Sequence, residues 1–365
     1  MGINISEDVK EIKMHYSEIE DTTEYKKRRV QYIKDWPNNE QFEIEKRLFE
    51  KINELPNNIT FIPFEFNYLE ENTYNLLLSL FLDALDFLPN RPDLSFDFIW
   101  RIIDTYSSEV FPGLHGKDTI NKCIKQIWTP AIENNAILKE AIDSLFLNIP
   151  VQSCKYLFKR LYENFDEQED LVKQSHKDTR QLIGRLVGFN GGKIENDKIA
   201  RILVEINDKY GYTPHTPAEI RKGSMLFYRL FDWNDNLDEI SFGKREYETE
   251  LDIKLKTEHQ IEIDLKSKRG YKIDLEDKLN ILINGILYTF RNDRAHGAVF
   301  SPFRSSMASL KTYAHSNFCF LAAYILLLIL MSNNNEYKMK NESVVENITQ
   351  NIYLFQKLYG RELKA

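Results

Sequence analysis

From Phe318 to Met331 the chain runs for 14 residues without a charged or amide side chain. That is short of the roughly 17–25 residues a membrane-spanning helix needs. Apolar side chains on every side of a helix have to be covered on every side. The stretch therefore predicts a central helix enclosed by other elements. With only 14 glycines and 11 prolines in 365 residues, the chain is poor in breakers, which favours long helices over the turn-rich strands of a sandwich. The expected fold class is mainly α.

Other segments supply the covering. Asn72 to Leu88 is rich in leucine and phenylalanine, and Pro89-Asn90-Arg91-Pro92 breaks it. A second helix is expected from Asp93 or Ser95, either a plausible cap, carrying Phe96, Ile99, Trp100 and Ile103. Residues 117–232 read as further helices interrupted at Pro130, Pro150, Gly188 and Pro214. Asp274 to Phe290 has apolar residues at three-to-four spacing, and Ser343 to Tyr359 makes a last helix ended by Gly360. Residues 250–266 depart from this habit. Leu251, Ile253 and Leu255, then Ile261, Ile263 and Leu265, alternate with charged residues around a short polar turn. That period suits a small β-hairpin, with a charged amphipathic helix as the rival. The expected organisation is a charged N-terminal extension over 1–66, a helical domain over 67–340 with a large insertion near 109–272, and a C-terminal helix over 341–365.

The formal charge of −8 argues against a surface built for non-specific phosphate contact, so any nucleic-acid site has to be local. Between Lys266 and Lys311, nine Lys or Arg stand against four Asp or Glu. Cys123, Cys154 and Cys319 are widely spaced and odd in number, which suits reduced, buried thiols. Residues 1–20 are charged and lack an apolar run, so no secretory leader is expected and the reading is cytoplasmic.

The chemistry concentrates in Arg291-Asn292-Asp293-Arg294-Ala295-His296-Gly297, directly after an apolar helix. RNA cleavage requires the 2′-hydroxyl to lose a proton, the leaving 5′-oxygen to gain one, and extra charge on phosphorus to be stabilised. Histidine titrates near neutrality and suits the proton transfers. Arginine stays charged and offers a planar fork for phosphate oxygens. The nucleophile is already held beside the phosphate, so no metal is required to generate it. Among seven histidines, only His296 has an arginine five residues before it.

Arg291-Asn292-x-x-x-His296 resembles the Arg-x4-His motif of HEPN domains, small helical bundles of which many are metal-independent ribonucleases. The resemblance implies Arg291 and His296 as the catalytic pair and Asn292 as the polar residue that assists them. It implies no cofactor. Active HEPN sites are composite, and this chain holds one such motif, so a homodimer is implied. Family members act in toxin–antitoxin and antiviral systems, which makes RNA the expected substrate and an antitoxin or defence protein a possible partner. Toxins controlled by a nucleotidyltransferase antitoxin often carry Tyr two residues after the His, where this chain has Ala298; that puts such control in doubt. The resemblance covers about 273–331. The helices near 72–88 and 95–108 are expected to complete the bundle.

Arg294, Arg304 and Lys311 are the candidate substrate-binding cations, with solvation of a helix start as the plainer role for the last two. Tyr313 and His315 suit core packing better than base stacking. Three rivals are weaker. Asp252-x-Lys254 and Asp264-x-Lys266 place an acid and a lysine on one strand face, as in metal-dependent nucleases, but alternating hairpins often do so. His315 and Cys319 share a helical face, yet no second ligand pair has zinc spacing. A non-catalytic helical module that binds RNA or a protein is the alternative of a different class.

Overall fold

The computed structural model describes residues 22–35, 42–162, 179–190, 193–210, 216–232, 240–242, 256–257, 269–271, 273–295, 302–304 and 308–364. These are mainly helical. Thr22–Lys34 is α1 and Glu43–Asn53 is α2. Asn72–Asp86 is α3, its first turn fixed by Glu71, whose carboxylate accepts from the Thr73 and Tyr74 amides. Pro92–Val110 is α4. It starts one residue before the expected Asp93, because Pro92 presets the first helical turn and has no N–H to leave unpaired. Lys117–Cys123, a π segment Ile124–Trp128 and Thr129–Glu133 follow one another as α5. Ala136–Leu147 is α6, Val151–Tyr162 is α7 and residues 179–187 form α8. Asp197–Tyr210 is α9 and Pro217–Asp232 is α10.

Leu275–Asn280, a second π segment Ile281–Leu287 and Tyr288–Ala295 make α11. Asp274 caps it, accepting from the Asp277 amide at 2.9 Å. The π segment carries the buried Asn284, whose amide donates to Asn121 Oδ1 and Asn280 Oδ1, each at 2.8 Å. π segments in long helices often mark functional sites. Leu310–Ser332 is α12 and Asn341–Tyr359 is α13.

α12 is the enclosed helix that the apolar run demanded, with 94% of its most apolar window buried. It is the one described helix long and apolar enough to cross a membrane. Neighbours also bond to it. Trp128 Nε1 donates to the Leu326 carbonyl at 2.9 Å. The Tyr324 hydroxyl donates to Asn347 Oδ1 at 2.7 Å and accepts from the Phe64 amide at 2.9 Å.

The core does not follow the expected divisions. Phe42, Leu48 and Phe64 from the supposed extension, and Ile348 and Tyr359 from the C-terminal helix, are buried in the same hydrophobic core as α12. Asn351 donates to the Ile62 carbonyl at 2.8 Å and ties that segment to α13. Helices of the supposed insertion belong to this core too, through Trp128, Leu157 and Leu186.

Strand structure is slight among the described residues. Phe189–Asn190 (β1) pairs antiparallel with Lys193–Ile194 (β2), and Ile240–Phe242 (β3) with Arg269–Tyr271 (β4). The β3–β4 ladder brackets the expected hairpin at 250–266. Of that stretch only Lys256 and Thr257 are described, and they are helical rather than extended; the rest lies outside the described residues.

Candidate functional site

The last turns of α11 lie along α4. Tyr288 packs edge-on to Trp100 and Phe290 edge-on to Phe96, with ring centroids 5.8 and 5.1 Å apart. α4 carries three aspartates on its course past this helix: Asp93, Asp97 and Asp104. Each meets an arginine of the motif.

Arg294 is anchored most firmly. Its Nη1 donates to Asp93 Oδ2 at 2.7 Å, and Nε and Nη2 form a fork onto Asp97 at 2.7–3.0 Å. Its side chain is only 11% exposed. Burial works against the charge, but the bonds to Asp97 and the field of Asp93 more than offset it and raise the Arg294 pKa. Asp93 is fully buried and also accepts Nε and Nη2 of Arg91, each at 2.9 Å. Arg294 therefore holds α11 to α4. It is not placed to bind substrate as the sequence suggested, because reaching a phosphate would leave buried carboxylates unpaired.

Asp293 also turns inward. It accepts from the Tyr156 hydroxyl and pairs with Arg160, both on α7. Burial, and next the Asp293 charge, push the Tyr156 phenol well above its ordinary value.

Arg291 and Asn292 differ. The Arg291 side chain is 38% exposed, with Nη1 donating to Asn292 Oδ1 at 3.2 Å and Nη2 3.6 Å from Asp104 Oδ2. Burial raises the Asp104 carboxyl to about 6, and the Arg291 charge only partly opposes this. Asn292 lines a cleft of about 520 Å³ together with Lys117, Arg180, Gln181, Arg185 and Tyr288. Its lining includes three cations and no carboxylate among the described residues. Arg185 is buried at the base, donating from Nη2 to Thr289 Oγ1 at 2.9 Å and from Nε to the Asn284 carbonyl at 3.4 Å. Its guanidinium also stands over the Tyr288 ring, 4.9 Å from the centroid.

His296 lies outside the described residues, as do Ser305 and Ser306. Arg304 is stacked over the rings of Tyr32 and Phe42, at 4.8 and 5.6 Å, with Nε 3.7 Å from Glu45. Lys311 is half-buried in the first turn of α12. Neither lines the cleft. Tyr313 and His315 are core residues. His315 Nδ1 is 2.9 Å from Ser153 Oγ and 3.8 Å from Cys319 Sγ, and burial depresses its pKa to about 4. No group of three or more potential metal ligands occurs among the described residues. All three cysteines are free and buried.

Lys117, Arg180 and Arg185 were missed by the sequence reading because they lie more than 100 residues before the motif. One signal was available for Arg185: a lone charge inside Leu182-Ile183-Gly184-Arg185-Leu186-Val187 has to meet something polar if the helix is buried. Asp104, after Ile102-Ile103, carries the same signal. Comparison of the chain with protein-family models, curated proteins and solved structures finds no match.

Proposed function

We propose that the protein is a metal-independent endoribonuclease with a HEPN-like bundle, in which Arg291 stabilises the charge developing on the phosphate and His296 moves the proton of the attacking 2′-hydroxyl. The observation that carries this reading is the division of the motif. Asp293 and Arg294 are fixed inside the protein, whereas Arg291 stays half-exposed and reaches Asn292 at the edge of a cation-lined cleft. A half-exposed guanidinium whose ion pair, to Asp104, is as long as 3.6 Å can transfer to a phosphate at low cost. Asn292, accepting from Arg291, orients that fork and leaves its own amide for a phosphate oxygen.

One motif per chain makes the working unit a homodimer with two such sites across one cleft. Conditional RNA destruction in antiviral defence, or as a toxin, fits an enzyme of this kind. The test is cleavage of end-labelled single-stranded RNA in EDTA by wild type, Arg291→Ala and His296→Ala. The expected result is product with 2′,3′-cyclic phosphate ends from wild type alone. Equal cleavage by all three, or none by any, removes the enzyme reading and leaves a helical binding module.

A further inference from the structure

We infer that Asp104 is the general acid of the proposed cleavage, giving its carboxyl proton to the 5′-oxygen as that oxygen leaves phosphorus. This rests on the ribonuclease reading of Arg291 and His296, which leaves that proton without a donor. An imidazole that takes the 2′-hydroxyl proton cannot in the same step supply the oxygen departing on the far side of the phosphate, so a second proton-bearing group is needed.

Three observations point to Asp104. First, place: it lies on α4 beside the last turns of α11, with Oδ2 3.6 Å from Arg291 Nη2. A phosphate drawn onto that guanidinium comes within reach of the neighbouring carboxyl. Second, access: the side chains of Asp104 and Arg291 are 34% and 38% exposed. The other aspartates near the motif are engaged inside the protein, Asp93 and Asp97 by Arg294 at 2.7–3.0 Å and Asp293 by Tyr156 and Arg160. Third, protonation: burial raises the Asp104 carboxyl to about 6, opposed in part by Arg291 and by a hydrogen bond from Trp100. A carboxyl so placed still holds protons near neutrality and gives them up readily. Arg291 and Tyr288 face it from α11, and Trp100 bounds it on α4. A phosphate seated on Arg291 adds negative charge beside Asp104 and favours its protonated form further.

The step balances. His296 takes the 2′-hydroxyl proton and the 2′-oxygen bonds to phosphorus. The bond from phosphorus to the 5′-oxygen breaks, and the Asp104 proton joins that oxygen. A 2′,3′-cyclic phosphate and a 5′-hydroxyl result. Asp104 then regains a proton from water as His296 returns one.

The test substrate is an oligonucleotide with a single 2′-hydroxyl, placed at a linkage that wild type cuts, whose leaving atom is either the 5′-oxygen or a 5′-sulfur. A thiolate departs without a proton. Full-length protein is assayed in EDTA under single-turnover conditions. Asp104→Asn should cut the oxygen substrate about 10²–10⁴-fold more slowly than wild type. It should cut the sulfur substrate nearly as fast. Arg291→Ala should be slow on both, because charge builds on the phosphate with either leaving atom. Equal loss on both substrates in Asp104→Asn would reduce Asp104 to positioning Arg291 and overturn the inference, as would loss on neither. Relief by sulfur in His296→Ala instead would make the histidine the acid and also overturn it. Asp104→Ala, read by the same ratio, covers a folding defect in the Asn variant. If wild type cuts no RNA, the ribonuclease reading and the inference fail together; if wild type cuts RNA but Asp104→Asn shows no difference between oxygen and sulfur, the inference fails alone.

Discussion

On the α4 side of the last turn of α11, Arg294 meets two aspartates at 2.7–3.0 Å with its own side chain 11% exposed. On the cleft side, Lys117, Arg180 and Arg185 share a lining without a carboxylate among the described residues, and Arg291 stands between the two regions with Asp104 at 3.6 Å. Both regions are rich in arginine. What separates Arg294 from Arg291 is how tightly and how deeply each is paired: 2.7 Å and 11% exposed against 3.6 Å and 38% exposed. A buried arginine with its carboxylates in place is a structural fastener, and breaking it strands the acids. A half-exposed arginine with a long ion pair, such as Arg291, can exchange that pair for an anion from outside at lower cost.

The strongest attempt to break this contrast is Arg294→Met. It leaves Asp97 without its fork and Asp93 with Arg91 alone, and should destabilise the fold by about 3–5 kcal/mol in urea unfolding. Lys117→Ala, on the cleft side, should stay within about 0.5 kcal/mol of wild type. Similar losses for both would erase the distinction.

Arg291→Ala comes next. The proposed role predicts a fall in kcat of about 10²–10³, equivalent to roughly 3–4 kcal/mol of transition-state stabilisation. Its effect on folding should remain below about 1 kcal/mol, since the ion pair is long and partly exposed. A stability loss as large as that of Arg294→Met would move Arg291 to the fastener side and undercut the catalytic reading.

The inward side also contains His315, buried against Ser153 and Cys319. Its pKa drops from 6.5 to about 4 on burial. Above 6.5 the ring is neutral in both folded and unfolded chains. As pH falls, the unfolded chain takes up the proton first, so stability declines between 6.5 and 4. The loss attributable to this residue approaches about 3 kcal/mol at the acid end. His315→Gln should flatten that limb when unfolding free energies are compared across the window. An unchanged limb would mean that the ring reaches water.

What was legible in the sequence follows the same division. The enclosure of α12 could be read from composition alone, because a helix apolar all round has one stable environment. The cluster of polar residues from Arg291 to Arg294 could be picked out because its members are neighbours in the chain, but not which of them turn inward. The assignment of Arg294 to substrate failed because its partners, Asp93 and Asp97, lie about 200 residues earlier, and a charge's partner is a tertiary fact. Arg304 failed likewise, stacked on rings from α1 and the start of α2. The supposed extension was misjudged because its charge was averaged over residues 1–66, whereas burial is decided by the few positions, such as Phe42 and Leu48, that face α12 and its neighbours.

The smallest effect belongs to the residue between the two regions. Asp104 has its carboxyl raised to about 6 by burial, with Arg291 too distant to reverse the shift. A raised folded-state pKa means that the protonated form suits the fold. The stabilisation is complete below the ordinary value of 3.8 and is lost as pH rises through about 6. Asp104→Asn stays neutral throughout, so it should gain on wild type as pH climbs from 4 to 7. The gain is held below about 1 kcal/mol because the side chain is a third exposed and solvent screens it. Paired urea midpoints at unit pH steps would show the two curves separating near 6. Loss of stability in the variant at pH 7 would instead make Asp104 a true partner of Arg291, and the guanidinium would then belong with Arg294 among the fasteners.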